Sequence, residues 1–294
     1  MQVVRFRKGS HTGLGLQTQE GRVVPLGFAR MGELLRLPAD ALRDLLTGAL
    51  RAPGPTLAPD ALLAPVDGEM EVWCAGVTYR RSESARVEES RTPDIYTRVY
   101  RAERPELFFK ATPRRVSGPG EPLSIREDST WDVPEPELAV VANALGEVVG
   151  YTLGNDLSSR SIEGENPLYL PQAKVWTRSC ALGPGVTPVW EVADPYNLTI
   201  GMRILRDGKV AWEGSASTSG LVRRIEDLLA YLFREDTFPE GVVLCTGTAL
   251  VPDSPFTLRP GDRVEIRIAG LGTLANPIVQ GKEGLCRALA GEGV

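Results

Sequence analysis

Histidine is nearly absent from this sequence: His11 is the only one in 294 residues. It lies in a polar stretch, HTGLG, that reads as a turn. A Ser-His-Asp triad, a Cys-His pair and an HExxH zinc helix would each have to be built on that one side chain, and all three are excluded. Any metal site must then use carboxylates, carbonyls and water, which selects a hard cation such as Mg2+ or Mn2+. Cysteine is scarce and scattered. Cys74, Cys180, Cys245 and Cys286 show no Cys-x-x-Cys spacing, so neither a zinc site nor a redox motif is indicated, and a disulfide framework is not expected at this size. No apolar run approaches the roughly 20 residues needed to span a bilayer. The first residues, MQVVRFRKGSH, lack the apolar segment of a secretory signal, and the expected location is cytoplasmic. Basic excess is missing too. With a net charge of -5 and no Lys/Arg stripe, nucleic acid is not an expected partner.

What is present reads as an ordinary globular chain in two parts. Residues 1–62 form a small N-terminal unit with short β runs, MQVVRFR and RVVPLGF. An amphipathic helix follows, LPADALRDLLTGAL, with Leu42, Leu45, Leu46 and Leu50 at helical spacing. The stretch APGPTLAPDALLAP, with four prolines, is extended and cannot continue that helix. Residues 63–294 carry the chemistry. There the strand EVWCAGV runs into a densely charged segment, and residues 80–104 read as either a solvated helix or a closing lid. In PELFFKATP, Leu107, Phe108 and Phe109 read as a buried strand with Glu106 and Lys110 as its polar ends.

The stretch from Trp131 to Arg160 organises the rest. Glu135 and Glu137 open an apolar run, a turn lies at Asn143 to Gly146, and a second run from Val148 to Leu153 ends at Asp156. This pattern predicts a β-hairpin. Side chains alternate along a strand, so Glu135 and Glu137 share a face, and Pro136 is tolerated near the strand start. Two carboxylates on one face repel. They are either solvent-facing acids or anions made comfortable by a cation between them, with Asp156 as a third oxygen donor. The following segment, residues 158–188, contains Gly164, Pro167, Pro171 and a GPG at 183–185 and reads as a long irregular connection. Within it, Lys174 is a salt-bridge partner or a tuned acid/base group. Asp207-Gly208 predicts a hairpin turn, and Ser219 reads as the cap of a helix, GLVRRIEDLLAYLFRE. Thr246-Gly247-Thr248 is a turn able to present N–H groups to an anion.

Taken in order, PEPELAVV, GYTLGNDLSSR, QAK and CTGT resemble the fumarylacetoacetate hydrolase superfamily. RPELFFKATP and EGENPLYLPQAK are most similar to its branch of 2-keto-3-deoxy sugar acid dehydratases, the 2-dehydro-3-deoxy-D-arabinonate dehydratases. The resemblance implies a mostly β (α+β) fold, a mixed-sheet catalytic domain with a small N-terminal domain, assembled as homodimer or homotetramer. It also implies Glu135, Glu137 and Asp156 as ligands of Mg2+ or Mn2+, Lys174 and Glu106 as catalytic groups, and Thr246, Gly247 and Lys110 around a 2-keto acid substrate. The hydrolases of the superfamily place a water-activating His-Glu pair after a Gly-x-x-Tyr start. Here Gly76-Val77-Thr78-Tyr79 is followed by Arg80-Arg81-Ser82-Glu83, so the histidine is missing and a lyase is implied. The implied reaction is loss of water from the sugar acid to give 2,5-dioxopentanoate. Its competitors are an acylpyruvate hydrolase or oxaloacetate decarboxylase of the same fold, or a non-catalytic 2-keto acid or metal-binding module.

Overall fold

A computed structural model describes residues 1–51, 54–80 and 93–291. The helix expected at 80–90 and the Arg81-Ser82-Glu83 stretch therefore fall almost wholly outside the described residues. Of the proposed lid, residues 93–104 are described, and they include a helix, Pro93–Arg101.

Two β-sheets carry the fold, which is mostly β as the sequence implies. The larger is mixed. It runs in the order Val23–Pro25, His11–Gln17, Gln2–Lys8, Cys180–Pro188, Val148–Asp156, Pro136–Ala142, Val242–Cys245, Glu71–Gly76 and Glu106–Ala111. The Val242–Cys245 strand pairs parallel with Glu71–Gly76 and antiparallel with Pro136–Ala142. The smaller sheet runs Lys209–Ser217, Thr199–Arg206, Arg263–Ile268, Gly272–Gln280 and Leu123–Ile125. The period of two decides how they meet. Leu138, Val140 and Leu244 face one core together with Ile200, Met202, Val264 and Ile266 of the smaller sheet. Ala139, Val141, Val243 and Cys245 face a second core with Leu34, Leu42 and Leu46 from the N-terminal segment. A strand covered on both faces must be apolar along its length, which is why Pro136–Ala142 reads as a continuous apolar run after its glutamate.

The N-terminal elements join the same sheet through Val3↔Val186, and position 62 falls inside the short strand Ala61–Leu63. In the helix Ala39–Arg51, Leu42 and Leu46 are buried one turn apart, while Leu50 is 49% exposed at its end. Asp207-Gly208 makes the expected turn, both residues at positive φ, between strands in register Arg206↔Lys209.

Four local expectations change. His11 opens the strand His11–Gln17, and the turn precedes it at Gly9, with φ +58. Cys180–Pro188 is a nine-residue strand in the middle of the large sheet, not part of an irregular connection. Its glycines serve close packing: a Cβ at Gly185 would lie 2.9 Å from the Val3 carbonyl. The segment before it folds into two short helices, Arg160–Glu165 and Leu170–Lys174. Ser219 caps nothing. The helix begins at Ile225, because Leu221 forms a bridge to Tyr79 and the Val222 N–H donates to the Thr78 carbonyl, 2.9 Å, which keeps this stretch extended.

Candidate metal centre and active site

The open end of the Pro136–Ala142/Val148–Asp156 hairpin builds the site. Pro136 pairs with Asn155 and Glu137 with Gly154. Just beyond, the Asp156 N–H donates to the Glu135 carbonyl at 3.0 Å and the Glu135 N–H to Asn155 Oδ1 at 3.2 Å. These bonds fix Glu135 beside Asp156. One oxygen from each of Glu135, Glu137 and Asp156 lies within 4.8 Å of the other two. All three residues are at most 3% exposed, so they are not solvent-facing acids. Burial pushes the Glu137 carboxyl well above the usual carboxylate range, and Cys245, Asp156 and Glu135 push it further in the same direction; Lys174 opposes them. The Gly247 N–H donates to Glu137 Oε2 at 2.5 Å. The Thr-Gly-Thr turn thus does present an N–H to an anion, and that anion is a carboxylate of the protein itself.

Cations surround these acids. Lys174, the last residue of its short helix, donates to Glu135 Oε2 (3.0 Å), Asp156 Oδ2 (2.9 Å) and Ser158 Oγ (2.6 Å). Lys110 comes from behind. Its Nζ lies 2.5 Å from Asp156 Oδ1 and donates to the carbonyls of Leu157, at 3.0 Å, and Lys174. The sequence suggested a buried Leu107–Phe109 with Lys110 at a polar border, and the structure inverts this: those three are half-buried and Lys110 is 0% exposed. The reason is that Lys110 has ionic and carbonyl partners inside, while the aromatic side chains line the edge of the sheet.

Arg160 and Glu163 were not singled out by the sequence reading. Arg160 sits 3.1 Å from Glu135 Oε1 and 3.5 Å from Glu163 Oε2, and both residues are buried. Their only local signals are Ser159, whose Oγ accepts the Ile162 N–H and caps the helix, and the charge pair three residues apart on that helix.

Glu106, Glu135, Asp156, Arg160, Glu163, Lys174 and Gly247 are brought together around one narrow cavity of about 20 Å3, room for roughly one water. Lys110 and Thr246 are not among the described residues lining it. The Thr246 hydroxyl donates to the Leu138 carbonyl, 2.9 Å, and Thr248 takes the lining position instead. His11 is exposed in its N-terminal strand and packs its ring near Phe6, so no histidine serves the cavity.

The donor set around the three carboxylates suits a hard divalent cation. It is all oxygen, it is buried, and among the described residues four buried carboxylates here (Glu135, Glu137, Asp156, Glu163) face three cationic side chains (Lys110, Lys174, Arg160). Added positive charge relieves that imbalance.

Residues 71–279 match the family described as fumarylacetoacetate (FAA) hydrolase, C-terminal. The chain is 51% identical over 251 residues to a probable 2-keto-3-deoxyxylonate dehydratase of Haloferax volcanii, covering 85% of this chain and 86% of the relative. It is 45% identical over 218 residues to the 2-dehydro-3-deoxy-D-arabinonate dehydratase of Saccharolobus solfataricus, covering 73% of each. The solved structure of 2-keto-3-deoxy-D-arabinonate dehydratase complexed with magnesium and 2,5-dioxopentanoate superposes with a TM-score of 0.80 at 34% identity, covering 96% of this chain and 99% of that one.

Proposed function

The chain belongs to the fumarylacetoacetate hydrolase family, and on that premise we propose that it is a metal-dependent hydro-lyase of 2-keto-3-deoxy sugar acids. The specific reaction is dehydration of 2-dehydro-3-deoxy-D-arabinonate to 2,5-dioxopentanoate. The observation that carries this reading is the convergence of Glu135, Glu137 and Asp156 on one another, with Lys174 bonded to Glu135 and Asp156 beside a cavity that no histidine serves. Hydrolysis needs an activated water, and the usual base for it is missing; elimination needs only proton transfers at carbon and at the departing hydroxyl.

Glu135, Glu137 and Asp156 would hold Mg2+, or Mn2+ in its place. When bound there, the cation supplies Lewis acidity to the carboxylate and C2 carbonyl of the 2-keto acid, which acidifies the C3 protons. The remaining work falls to side chains. Lys174 and Glu106 divide the two proton transfers of the elimination, removal at C3 and donation to the C4 hydroxyl oxygen; the 5-hydroxy-3-enoate so formed becomes 2,5-dioxopentanoate when a proton moves from C5 to C3 and the resulting C4–C5 enol ketonises at C4. Lys174 is oriented for this by Ser158 as well as by the carboxylates. Lys110, placed behind Asp156, fixes that carboxylate and does not touch substrate. Arg160 holds Glu135, leaving its other oxygen to the site. The Gly247 N–H orients Glu137.

All of these residues come from 63–294, which we take as the catalytic domain, with 1–62 as a supporting domain that completes the second core. A homodimer or homotetramer and a cytoplasmic location complete the proposal; no helix among the described residues is long and apolar enough to cross a membrane. The test is turnover of 2-keto-3-deoxy pentonates and hexonates, acylpyruvates and oxaloacetate, each with Mg2+ and with EDTA. Mg2+-dependent release of water from a deoxy sugar acid is the expected result. Turnover of an acylpyruvate or oxaloacetate alone would replace it with a hydrolase or decarboxylase, and binding without turnover would replace it with a binding module.

A further inference from the structure

Directly behind Glu137 lies a second set of ligating atoms that dehydration does not use. Cys74 and Cys245 are register partners on the parallel strands Glu71–Gly76 and Val242–Cys245, and their Sγ atoms lie within 4.8 Å of each other. Both are 0% exposed. Ala139 pairs with Cys245, so the alternation of faces along Pro136–Ala142 puts Glu137 on the same side as the two sulfurs. The two Sγ atoms and one Glu137 oxygen lie within 4.8 Å of one another. Gly154, the partner of Glu137 in the hairpin, lets the Cys245 sulfur pack against the strand beside Glu137, since a Cβ there would come 2.9 Å from Cys245 Sγ. Tetrahedral Zn2+ with metal–sulfur bonds of about 2.3 Å needs its ligands roughly 3.5–3.8 Å apart, a spacing small side-chain rotations reach from here. Gly76 and Gly247, two residues beyond each cysteine, line the active-site cavity.

We propose that Cys74, Cys245 and Glu137 form a site for a thiophilic divalent cation, Zn2+ or Cd2+. It draws on Glu137, which also belongs to the hard-cation centre, and so competes with it for that carboxylate. Binding forms two metal–sulfur bonds and one metal–oxygen bond and breaks two S–H bonds; both protons pass to solvent, and nothing is oxidised. Soft cations bind such a sulfur-containing set better than the all-oxygen set beside it. Occupation withdraws Glu137 and stops dehydration. Only this last consequence rests on the functional reading above.

The probe is Cd2+, followed by thiolate-to-cadmium charge-transfer absorption in the full chain carrying Cys286→Ala, which removes the exposed thiol. The expected band saturates at one equivalent, disappears in Cys74→Ala and in Cys245→Ala, and survives Cys180→Ala. Excess Mg2+ shifts the titration to higher Cd2+, and Cys74→Ala keeps Mg2+-dependent dehydration while needing at least about tenfold more Cd2+ for inhibition. Circular dichroism checks that each variant is folded. A folded parent without the band, a band that persists in Cys74→Ala, or one that requires Cys180 overturns the proposal. Inhibition with no band does so as well, since the cation has then taken the oxygen site. A band that follows both cysteines in a protein with no dehydratase activity upholds this site and overturns the function instead.

Discussion

Replacing Lys174 by Met keeps the length of the side chain and removes only the ammonium. Three buried acceptors lose their donor: Glu135 Oε2, Asp156 Oδ2 and Ser158 Oγ. Removing one partner of a buried pair typically costs about 3–5 kcal/mol, because the remaining charge stays desolvated. Total stabilities of about 5–15 kcal/mol are usual, so the metal-free variant should be marginal, with Tm lower by on the order of 10 °C. Mg2+ should then raise the Tm of the variant more than that of the wild type, because positive charge at the carboxylates is what the substitution took away. With Mg2+ saturating, kcat should fall about 10²–10⁴-fold, the range of a general acid or base, while KM changes little. Deuterium exchange divides the roles. Wild type with Mg2+ should wash the C3 protons out of pyruvate, an analogue with nothing to eliminate. If Lys174→Met abolishes exchange, Lys174 is the C3 base; if exchange persists while dehydration stops, Lys174 serves the leaving hydroxyl and Glu106 is the base. Normal dehydration by the variant would refute the reasoning and leave Lys174 as a structural ion-pair partner only.

Glu137→Gln should abolish Mg2+-dependent turnover and Mg2+-induced stabilisation while the circular dichroism spectrum is kept, since the apolar run from Leu138 is untouched; activity within about threefold of wild type would remove Glu137 from the site. Lys110→Met strips Asp156 of one of its two buried ion pairs, leaving that with Lys174, and should cost about 3–5 kcal/mol in denaturant unfolding, with weaker Mg2+ binding measured by calorimetry; an unchanged Mg2+ affinity would show that Lys110 does not position Asp156. Asp132 gives a pH dependence. Burial pushes its carboxyl from 3.8 up to about 6, so the fold favours the protonated form: its stability contribution is full below about pH 4 and is lost as pH rises through about 6. Asp132→Asn should therefore be more stable than wild type by about 3 kcal/mol at pH 7–8 and no different near pH 4; a constant difference across that range in thermal unfolding would contradict the assignment.

How far the sequence reveals this site depends on how local each interaction is. Glu135, Glu137 and Asp156 are legible because one hairpin holds them, and a hairpin is specified by alternation and a turn within some twenty residues. Lys110 is named by the resemblance, but its burial is not legible in the strand pattern. Its burial depends on Asp156 and on the carbonyls of Leu157 and Lys174, groups far along the chain that no period in PELFFKATP encodes. Arg160 fails for the same reason: its guanidinium looks like a helix surface charge until the fold places Glu135 against it. Cys180–Pro188 was hidden by its own glycines and prolines, residues that signal a break when nothing approaches them but that, beside the Val3 backbone, permit a strand to pack closely. Ser219 shows the converse, a competent cap overruled because Leu221 and Val222 are drawn into bridges with Tyr79 and Thr78. The anionic half of the centre is thus written locally and the cationic half by tertiary contact. Acids sharing one face repel in any conformation, so a local pattern that gathers three of them already implies that a compensating charge must come from elsewhere in the fold or from solution.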